Sequence, residues 1–212
     1  MNMRRLIIVG AGGLGREVFS WASHHPDCGK AWIIAGFIDD NLTALDNFSY
    51  PVKVINSISN YIPGAEDVLV CAIGDPATKR TVCERLIAHS AKFISLIHPT
   101  VVIGSNVTLD SGVVICPNVT LTADIQVGTF SLINCHSSAG HDVDIGAWST
   151  ISGHCDLTGG CKIGEGAFLA TGVRLLPGKT VGSNAFVGAA SVVVRSVQPE
   201  DRVFGNPARS IM

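Results

Sequence analysis

This chain has little charge and no long hydrophobic run. Only 15% of its 212 residues are charged, and the formal net charge is −2. Without a basic excess there is no electrostatic reason to expect binding to nucleic acid or to a membrane surface. No apolar run approaches the roughly 20 residues that span a bilayer. The short apolar stretch near the start ends in a glycine loop, which favours a cytoplasmic protein over an exported one.

A paired-cysteine pattern is also missing. The seven cysteines are odd in number, contain no C-x-x-C motif and fall mostly in apolar segments. These features favour buried, reduced thiols over a disulfide framework.

The two halves of the chain follow different periodicities. In residues 1–96, short apolar runs suited to buried parallel strands alternate with segments of helical spacing. The predicted strands are 5–10, 31–38, 68–73 and 92–97, and the predicted helices are 16–25 and 76–90. This pattern predicts an α/β domain that forms one half of a Rossmann-like sheet.

From residue 97 to Val193 the sequence repeats every six residues, which predicts a second domain over residues 97–212. Seventeen positions from Ile97 to Val193 are branched aliphatic except for Ala139. Small or β-branched residues, including Cys155 and Cys161, follow four positions later in most repeats, and glycine recurs 18 residues apart at 128, 146, 164 and 182. This spacing is expected if three hexapeptides form one triangular coil and one corner of the coil needs a residue without a Cβ. The pattern resembles the left-handed parallel β-helix family. An antiparallel β domain would instead show a period of two.

Residues 10–15, GAGGLG, lie between a predicted strand and a predicted helix. In a phosphate-binding loop of this type, Gly10 permits the turn, Gly12 lets amides approach a phosphate, and Gly15 allows close helix packing. Asp39 and Asp40 end the second strand, where acids often meet a ribose or a base. Half of a Rossmann-like sheet is better suited to binding one nucleotide diphosphate than to binding the dinucleotide NAD. The remaining alternative is a glycine loop that has only a packing role.

Counting in eighteens places the histidines on the β-helix. His136 and His154 should stack about 4.8 Å apart on adjacent coils, and we interpret them as a surface pair. His141 occupies another corner, where the same position one coil later is Gly159. The imidazole can accept a proton, and the glycine amide can donate a hydrogen bond to an oxyanion. A gap between the two would hold a thioester carbonyl. Asp142 follows and is suited to orient the imidazole.

Other chemistries compete for these residues. His136 and His141 reproduce the H-x4-H spacing of zinc hydratases that resemble γ-carbonic anhydrases, but the third ligand position holds Thr100, and a catalytic zinc needs three protein ligands. We therefore expect no metal. Cys135 is a rival nucleophile, although no helix N-terminus or assured basic neighbour lowers the pKa of its thiol. A non-catalytic nucleotide-sugar-binding scaffold is an alternative of a different class.

Several motifs together resemble one family. They are GAGGLGREV, FIDD, AIGD, the hexapeptide run, N-x6-HD at residues 134–142, and VFGNPARSI at the end. The chain resembles the hexapeptide-repeat sugar acetyltransferases that contain bacterial bacillosamine N-acetyltransferases and sialic acid O-acetyltransferases. The resemblance implies a homotrimer whose domain 1–96 holds a nucleotide-sugar and whose domain 97–212 binds acetyl-CoA between subunits.

The resemblance also implies roles for individual residues. The catalytic set is His141 as general base, Asp142, Asn134 and the Gly159 amide. The nucleotide-sugar set is Gly10, Gly12, Gly13, Asp39, Asp40, Gly74 and Asp75. We expect acetyl-CoA to contact Gly159, Gly172, Gly188, Ala189 and Arg209. Leu14 and Thr150 stand where many members carry histidines.

These observations predict an acyltransferase. We expect acetyl-CoA, as cosubstrate, to acetylate the amino group of a nucleotide-linked amino sugar, such as a 4-amino-4,6-dideoxy sugar, in bacterial glycan biosynthesis. The amine attacks directly while His141 removes its proton. Acetylation of a sugar oxygen is the alternative within this class. The apolar flanks of a single β-helix favour a trimer on physical grounds as well.

Overall fold

The structure, a computed structural model, describes residues 3–211. The chain forms two compact units. The first unit contains the residues up to 74 and residues 78–96, and the second contains residues 75–77 and the residues from 97 onward. Among residues 3–211, no helix is both long and apolar enough to cross a membrane.

The first unit is built on a parallel sheet of four strands. In spatial order these are β3 (Val54–Asn56), β2 (Trp32–Ile38), β1 (Arg4–Val9) and β4 (Asp67–Cys71). The helices are α1 (Gly13–Ser23), α2 (Pro76–Ala88) and a short 3-10 helix, Ile58–Asn60. Residues 6–9 of the central strand β1 are fully buried, as expected for a parallel strand covered on both faces.

The strand predicted at 92–97 is wrong in its extent. Phe93 forms only an isolated parallel bridge with Leu69, and β5 (Leu96–Ile97) belongs to the β-helix. The fourth strand of the sheet is instead β3, which the sequence did not reveal. Its three residues are half-buried or exposed, so they form no continuous apolar run.

The second unit is a parallel β-helix with three sheets, which confirms the predicted fold. Sheet I contains β5, β8 (Val114–Ile115), β11 (Leu132–Ile133), β14 (Thr150–Ile151), β17 (Phe168–Leu169), β20 (Phe186–Val187), β22 (Arg202–Phe204) and β23 (Arg209–Ser210). Sheet II contains β6 (Val102–Ile103), β9 (Thr120–Leu121), β12 (Ser138–Ala139), β15 (Asp156–Leu157), β18 (Arg174–Leu175) and β21 (Val192–Val193). Sheet III contains β7 (Thr108–Leu109), β10 (Gln126–Val127), β13 (Asp144–Ile145), β16 (Lys162–Ile163) and β19 (Thr180–Val181).

The hexapeptide period sets the core of the β-helix. Residues 18 apart pair on neighbouring strands, for example Ala139 with Leu157. The aliphatic positions from Ile115 to Val193 are at most 3% exposed. Ile103 is 44% exposed because its strand ends sheet II and no further coil covers it. Cys155 and Cys161 also lie in this core as predicted, and burial raises the pKa of the Cys155 thiol to about 11.

The glycines at 128, 146, 164 and 182 mark a corner where successive coils approach closely. A Cβ on Gly146 would lie 2.7 Å from the amide nitrogen of Glu165 and 2.9 Å from the carbonyl oxygen of Ile163. The left-handed backbone conformation falls on another residue of each repeat, such as Asp142 with φ +60°. The predicted corner without a Cβ is confirmed, and its cause is steric approach rather than a positive φ.

Candidate active site

The glycine loop joins β1 to α1, and its glycines serve different purposes. Gly10 has φ +99°, and a Cβ on Gly15 would lie 2.9 Å from the carbonyl carbon of Gly10, so the turn and the helix packing both need glycine. Around Gly12 and Gly13, by contrast, no atom of residues 3–211 outside the adjoining backbone lies within 4 Å of an added Cβ. The N-terminus of α1 has no side-chain cap. The loop therefore leaves helix amides accessible to an anion.

The two acids that follow β2 make different contacts. Asp39 accepts hydrogen bonds from the amides of Ala11 (2.7 Å) and Asn41 (2.8 Å), one on each carboxylate oxygen, so it braces the glycine loop. Asp40 is exposed and accepts one hydrogen bond from the Ser59 amide (2.9 Å). Its Oδ2 has no hydrogen-bond partner among residues 3–211. Asp40 is thus the more accessible of the two acids to a ligand.

The remaining predicted nucleotide-sugar residues follow β4. Gly74 is half-buried, and an added Cβ would lie 4.0 Å from a methyl carbon of Leu14. Leu14, which replaces a histidine of many relatives, is itself half-buried on α1. Asp75 is exposed and groups with the second unit.

His141 lies at the corner that follows β12. Its side chain is 72% exposed, and its Nδ1 lies 2.7 Å from Oδ2 of Asp142, whose side chain is 66% exposed. When Nδ1 donates to this carboxylate, the neutral imidazole keeps Nε2 as a proton acceptor. The pair has the arrangement of an oriented general base.

The imidazole packs directly on Gly159, one coil further along the β-helix. A Cβ at residue 159 would lie 2.6 Å from Cε1 of His141, so only glycine fits beneath the ring. The predicted stacking across one coil is confirmed. The predicted gap between ring and glycine is wrong, because the ring fills that space. Among the described residues, the Gly159 amide donates to no acceptor, whereas the Gly160 amide donates to the His141 carbonyl (2.8 Å).

Asn134 lies apart from His141 within one chain. It follows β11 in sheet I, and its side-chain oxygen accepts a hydrogen bond from the Cys135 amide (2.7 Å). His141 follows β12 in sheet II. No hydrogen bond joins Asn134 to His141 or Asp142 within the part of the chain that the structure describes.

Gly188, one of the expected acetyl-CoA contacts, is packed against the C-terminal segment. Gly188 is buried, the ring of Phe204 fills the place of a side chain, and its N–H donates to the Val203 carbonyl (2.9 Å). This glycine therefore serves packing of the C-terminal segment. Ala189 is exposed, and Gly172 is half-buried with φ +77°. Arg209 is exposed in β23, and its guanidinium donates to the Ala208 carbonyl (3.2 Å).

The side chains of His136 and His154 stack as predicted. The ring centroids of His136 and His154 are 5.0 Å apart, and the planes differ by 11°. His98, near the third zinc-ligand position, contacts the hydroxyl of Thr100 through Nδ1 (2.8 Å). Among residues 3–211, no group of three or more His, Cys, Asp or Glu side chains could hold a metal ion.

A polar pair that sequence reasoning missed lies on sheet II before the His141 corner. Ser138 donates a hydrogen bond to Asp156 (2.7 Å) on the neighbouring strand. The repeat could have revealed this pair, because both residues immediately precede an aliphatic position and lie 18 residues apart in the sequence.

Comparison with known proteins shows which enzymes this chain is similar to. Residues 5–86 match the family model described as the PglD N-terminal domain. The chain is 29% identical to the GDP-perosamine N-acetyltransferase of Escherichia coli O157:H7 over 63% of its own length and 61% of that protein. It is also 29% identical to the UDP-N-acetylbacillosamine N-acetyltransferase of Bacillus subtilis (strain 168), over 53% of this chain and 51% of that protein. The aligned part thus spans between half and two thirds of each curated relative.

A solved structure extends this similarity to the whole chain. PerB from Caulobacter crescentus, in complex with CoA and GDP-perosamine, superposes with a TM-score of 0.87 at 28% identity, covering 100% of this chain and 99% of that one. The chain is thus similar to hexapeptide-repeat sugar acetyltransferases over its whole length. It departs from the histidine that many members of that family carry at the position of Thr150, which is 3% exposed here.

Proposed function

We propose that this protein transfers the acetyl group of acetyl-CoA to the amino group of a nucleotide-linked amino sugar. The observation that carries the proposal is the His141 imidazole, bonded to Asp142 and packed on Gly159. The named activities of both curated relatives, and the CoA and GDP-perosamine in the PerB structure, support the substrate classes. The open amides of the glycine loop support a nucleotide diphosphate in the first unit.

The proposed reaction is a direct attack. The amine forms a bond to the thioester carbonyl carbon while Nε2 of His141 accepts the amine proton, and Asp142 stabilises the resulting imidazolium. The Gly159 amide donates to the carbonyl oxygen as it becomes negative. Collapse of this intermediate breaks the carbon–sulfur bond, and the imidazolium returns its proton to the CoA thiolate.

We further propose a homotrimer with active sites between subunits. The separation of Asn134 from His141 within one chain supports this arrangement, because a neighbouring subunit can supply the asparagine. The seven cysteines form no disulfide within residues 3–211, which fits a reducing compartment, so we assign the enzyme to the cytoplasm.

The decisive experiment measures CoA release. Purified protein is mixed with acetyl-CoA and a panel of nucleotide amino sugars, and the free thiol is titrated with Ellman's reagent. We expect His141→Ala to lower kcat by about two to four orders of magnitude, since a general base contributes that much. Cys135→Ala serves as the control and should retain activity, which separates base catalysis from a covalent cysteine route.

The proposal fails if wild-type protein releases no CoA with any amino sugar in the panel. Equal turnover by the wild type and His141→Ala would reject the assignment of the base. Turnover with the corresponding hydroxy sugars alone would establish acetylation of oxygen instead of nitrogen.

A further inference from the structure

The polar pair on sheet II lies beside the proposed base. Ser138 Oγ donates to Asp156 Oδ1 at 2.7 Å, and the two residues are in register on β12 and β15. Each precedes an inward-facing aliphatic residue, Ala139 and Leu157, so the alternation of a strand directs both polar side chains outward. Both residues are half-buried.

Bare backbone separates this pair from His141. Gly140 stands between Ser138 and His141, and a Cβ there would lie 2.8 Å from the amide nitrogen of Gly159. Three residues of chain put Ser138 and His141 at most about 10 Å apart, since even a fully extended strand rises only about 3.3 Å per residue. A span of this length is within reach of one sugar ring with its substituents.

Asp156 retains hydrogen-bonding capacity. Within residues 3–211, the only hydrogen bond of its side chain is the one from Ser138. Arg174 is the next residue in register, yet no ion pair joins the two side chains in the described part of the chain. An ionised carboxylate offers about four acceptor sites, so Oδ2 is available to an incoming donor.

We infer that Asp156, held by Ser138, accepts a hydrogen bond from a hydroxyl of the acceptor sugar while the sugar amine lies at His141. This inference rests on the proposed function and makes Asp156 a specificity-determining residue. A site built to bond a hydroxyl discriminates against the corresponding deoxy sugar, because the site's polar group is then left without its partner.

The test compares Asp156→Asn with a matched control. Asp144 occupies the same position of the repeat in sheet III, before Ile145, and is exposed. Steady-state kinetics use acetyl-CoA and the nucleotide amino sugar that the wild type acetylates fastest. We expect Asp156→Asn to raise KM for the amino sugar about tenfold, the loss expected for a hydrogen bond to a charged group. kcat and KM for acetyl-CoA should change little, and Asp144→Asn should match the wild type.

A second variant tests the same contact in case Asp156→Asn disturbs the fold. Ser138→Ala keeps the carboxylate and removes only the hydroxyl that orients it, so we expect a smaller rise in the same KM. An unchanged amino-sugar KM in Asp156→Asn, or a rise confined to the acetyl-CoA KM, would overturn the inference while leaving the proposed function intact. Absence of turnover in the wild type would instead reject the proposed function.

Discussion

At the scale of single residues, the candidate site depends on the absence of a side chain at Gly159. Gly159 lacks a Cβ, and the His141 ring occupies the space that a Cβ would need. Its φ is not in the left-handed region, so the backbone conformation alone does not demand glycine here. The requirement comes from the imidazole itself.

Gly159→Ala should displace the imidazole while keeping the backbone amide. A shift of about 1 Å in a catalytic group can cost about 100-fold in rate, and we expect a fall of that order in kcat/KM. Ellman kinetics measure the change. Gly153 occupies the equivalent repeat position on another face, and an added Cβ would come no closer than 3.3 Å to the Cys135 carbonyl oxygen. Gly153→Ala should therefore keep wild-type activity, and equal rates for both variants would contradict this account.

At the scale of elements, a buried polar cluster anchors the connection into β4. Asp67 is 5% exposed and accepts hydrogen bonds from the Tyr61 hydroxyl (2.6 Å) and the Gly64 amide (2.7 Å). Arg5 on β1 lies 3.4 Å from its other oxygen. Burial, followed by the hydrogen bond to Asp67, raises the pKa of Tyr61 above its ordinary value. The cluster thus ties the loop before β4 to the central strand.

Tyr61→Phe removes the hydroxyl and should lower the free energy of unfolding by about 1 to 2 kcal/mol at neutral pH. Because folding raises the pKa of Tyr61, its contribution is fully present below the unfolded tyrosine pKa of about 10 and is lost as pH rises above that value. Urea denaturation at pH 8 and pH 11 should show a smaller alkaline loss in Tyr61→Phe than in the wild type.

Tyr50→Phe is the matched control for this measurement. Tyr50 packs its ring edge against Phe19, with centroids 5.1 Å apart, and no hydrogen bond of its hydroxyl to residues 3–211 is observed. Its replacement should preserve the alkaline dependence of the wild type. The same pH dependence in Tyr61→Phe and the wild type would exclude Tyr61 as its source.

At the scale of the whole molecule, the proposed catalytic set is divided between surfaces of one chain. His141 and Asp142 follow sheet II, whereas Asn134 follows sheet I. In a closed cyclic trimer, each interface combines two different surfaces of neighbouring subunits. A site that needs both surfaces forms only on assembly.

Subunit mixing tests this proposal. His141→Ala and Asn134→Ala should each be impaired as homotrimers of the 22.2 kDa chain. Co-expression of the two variants should recover part of the wild-type rate, because some interfaces then combine an intact His141 with an intact Asn134. His141→Ala co-expressed with the double variant provides the control and should stay impaired. Lack of recovery in heterotrimers verified by native mass spectrometry would contradict shared sites.

The sequence by itself determined the β-helix and the neighbourhood of His141. A period of six repeats the same local environment in every coil, so a count of 18 suffices to align His141 with Gly159 and His136 with His154. The glycine loop could also be predicted from the sequence. Gly10 is required by the turn, and Gly15 is required by the close packing of the helix on that turn.

Only the tertiary structure decided features that depend on contacts outside the repeat. It showed that the imidazole fills the space over Gly159, that Asp39 braces the glycine loop, and that Phe204 covers Gly188. It also replaced the predicted strand at 92–97 with β3. Such contacts join residues at no regular spacing, and their side-chain directions follow from packing, which a linear pattern does not encode.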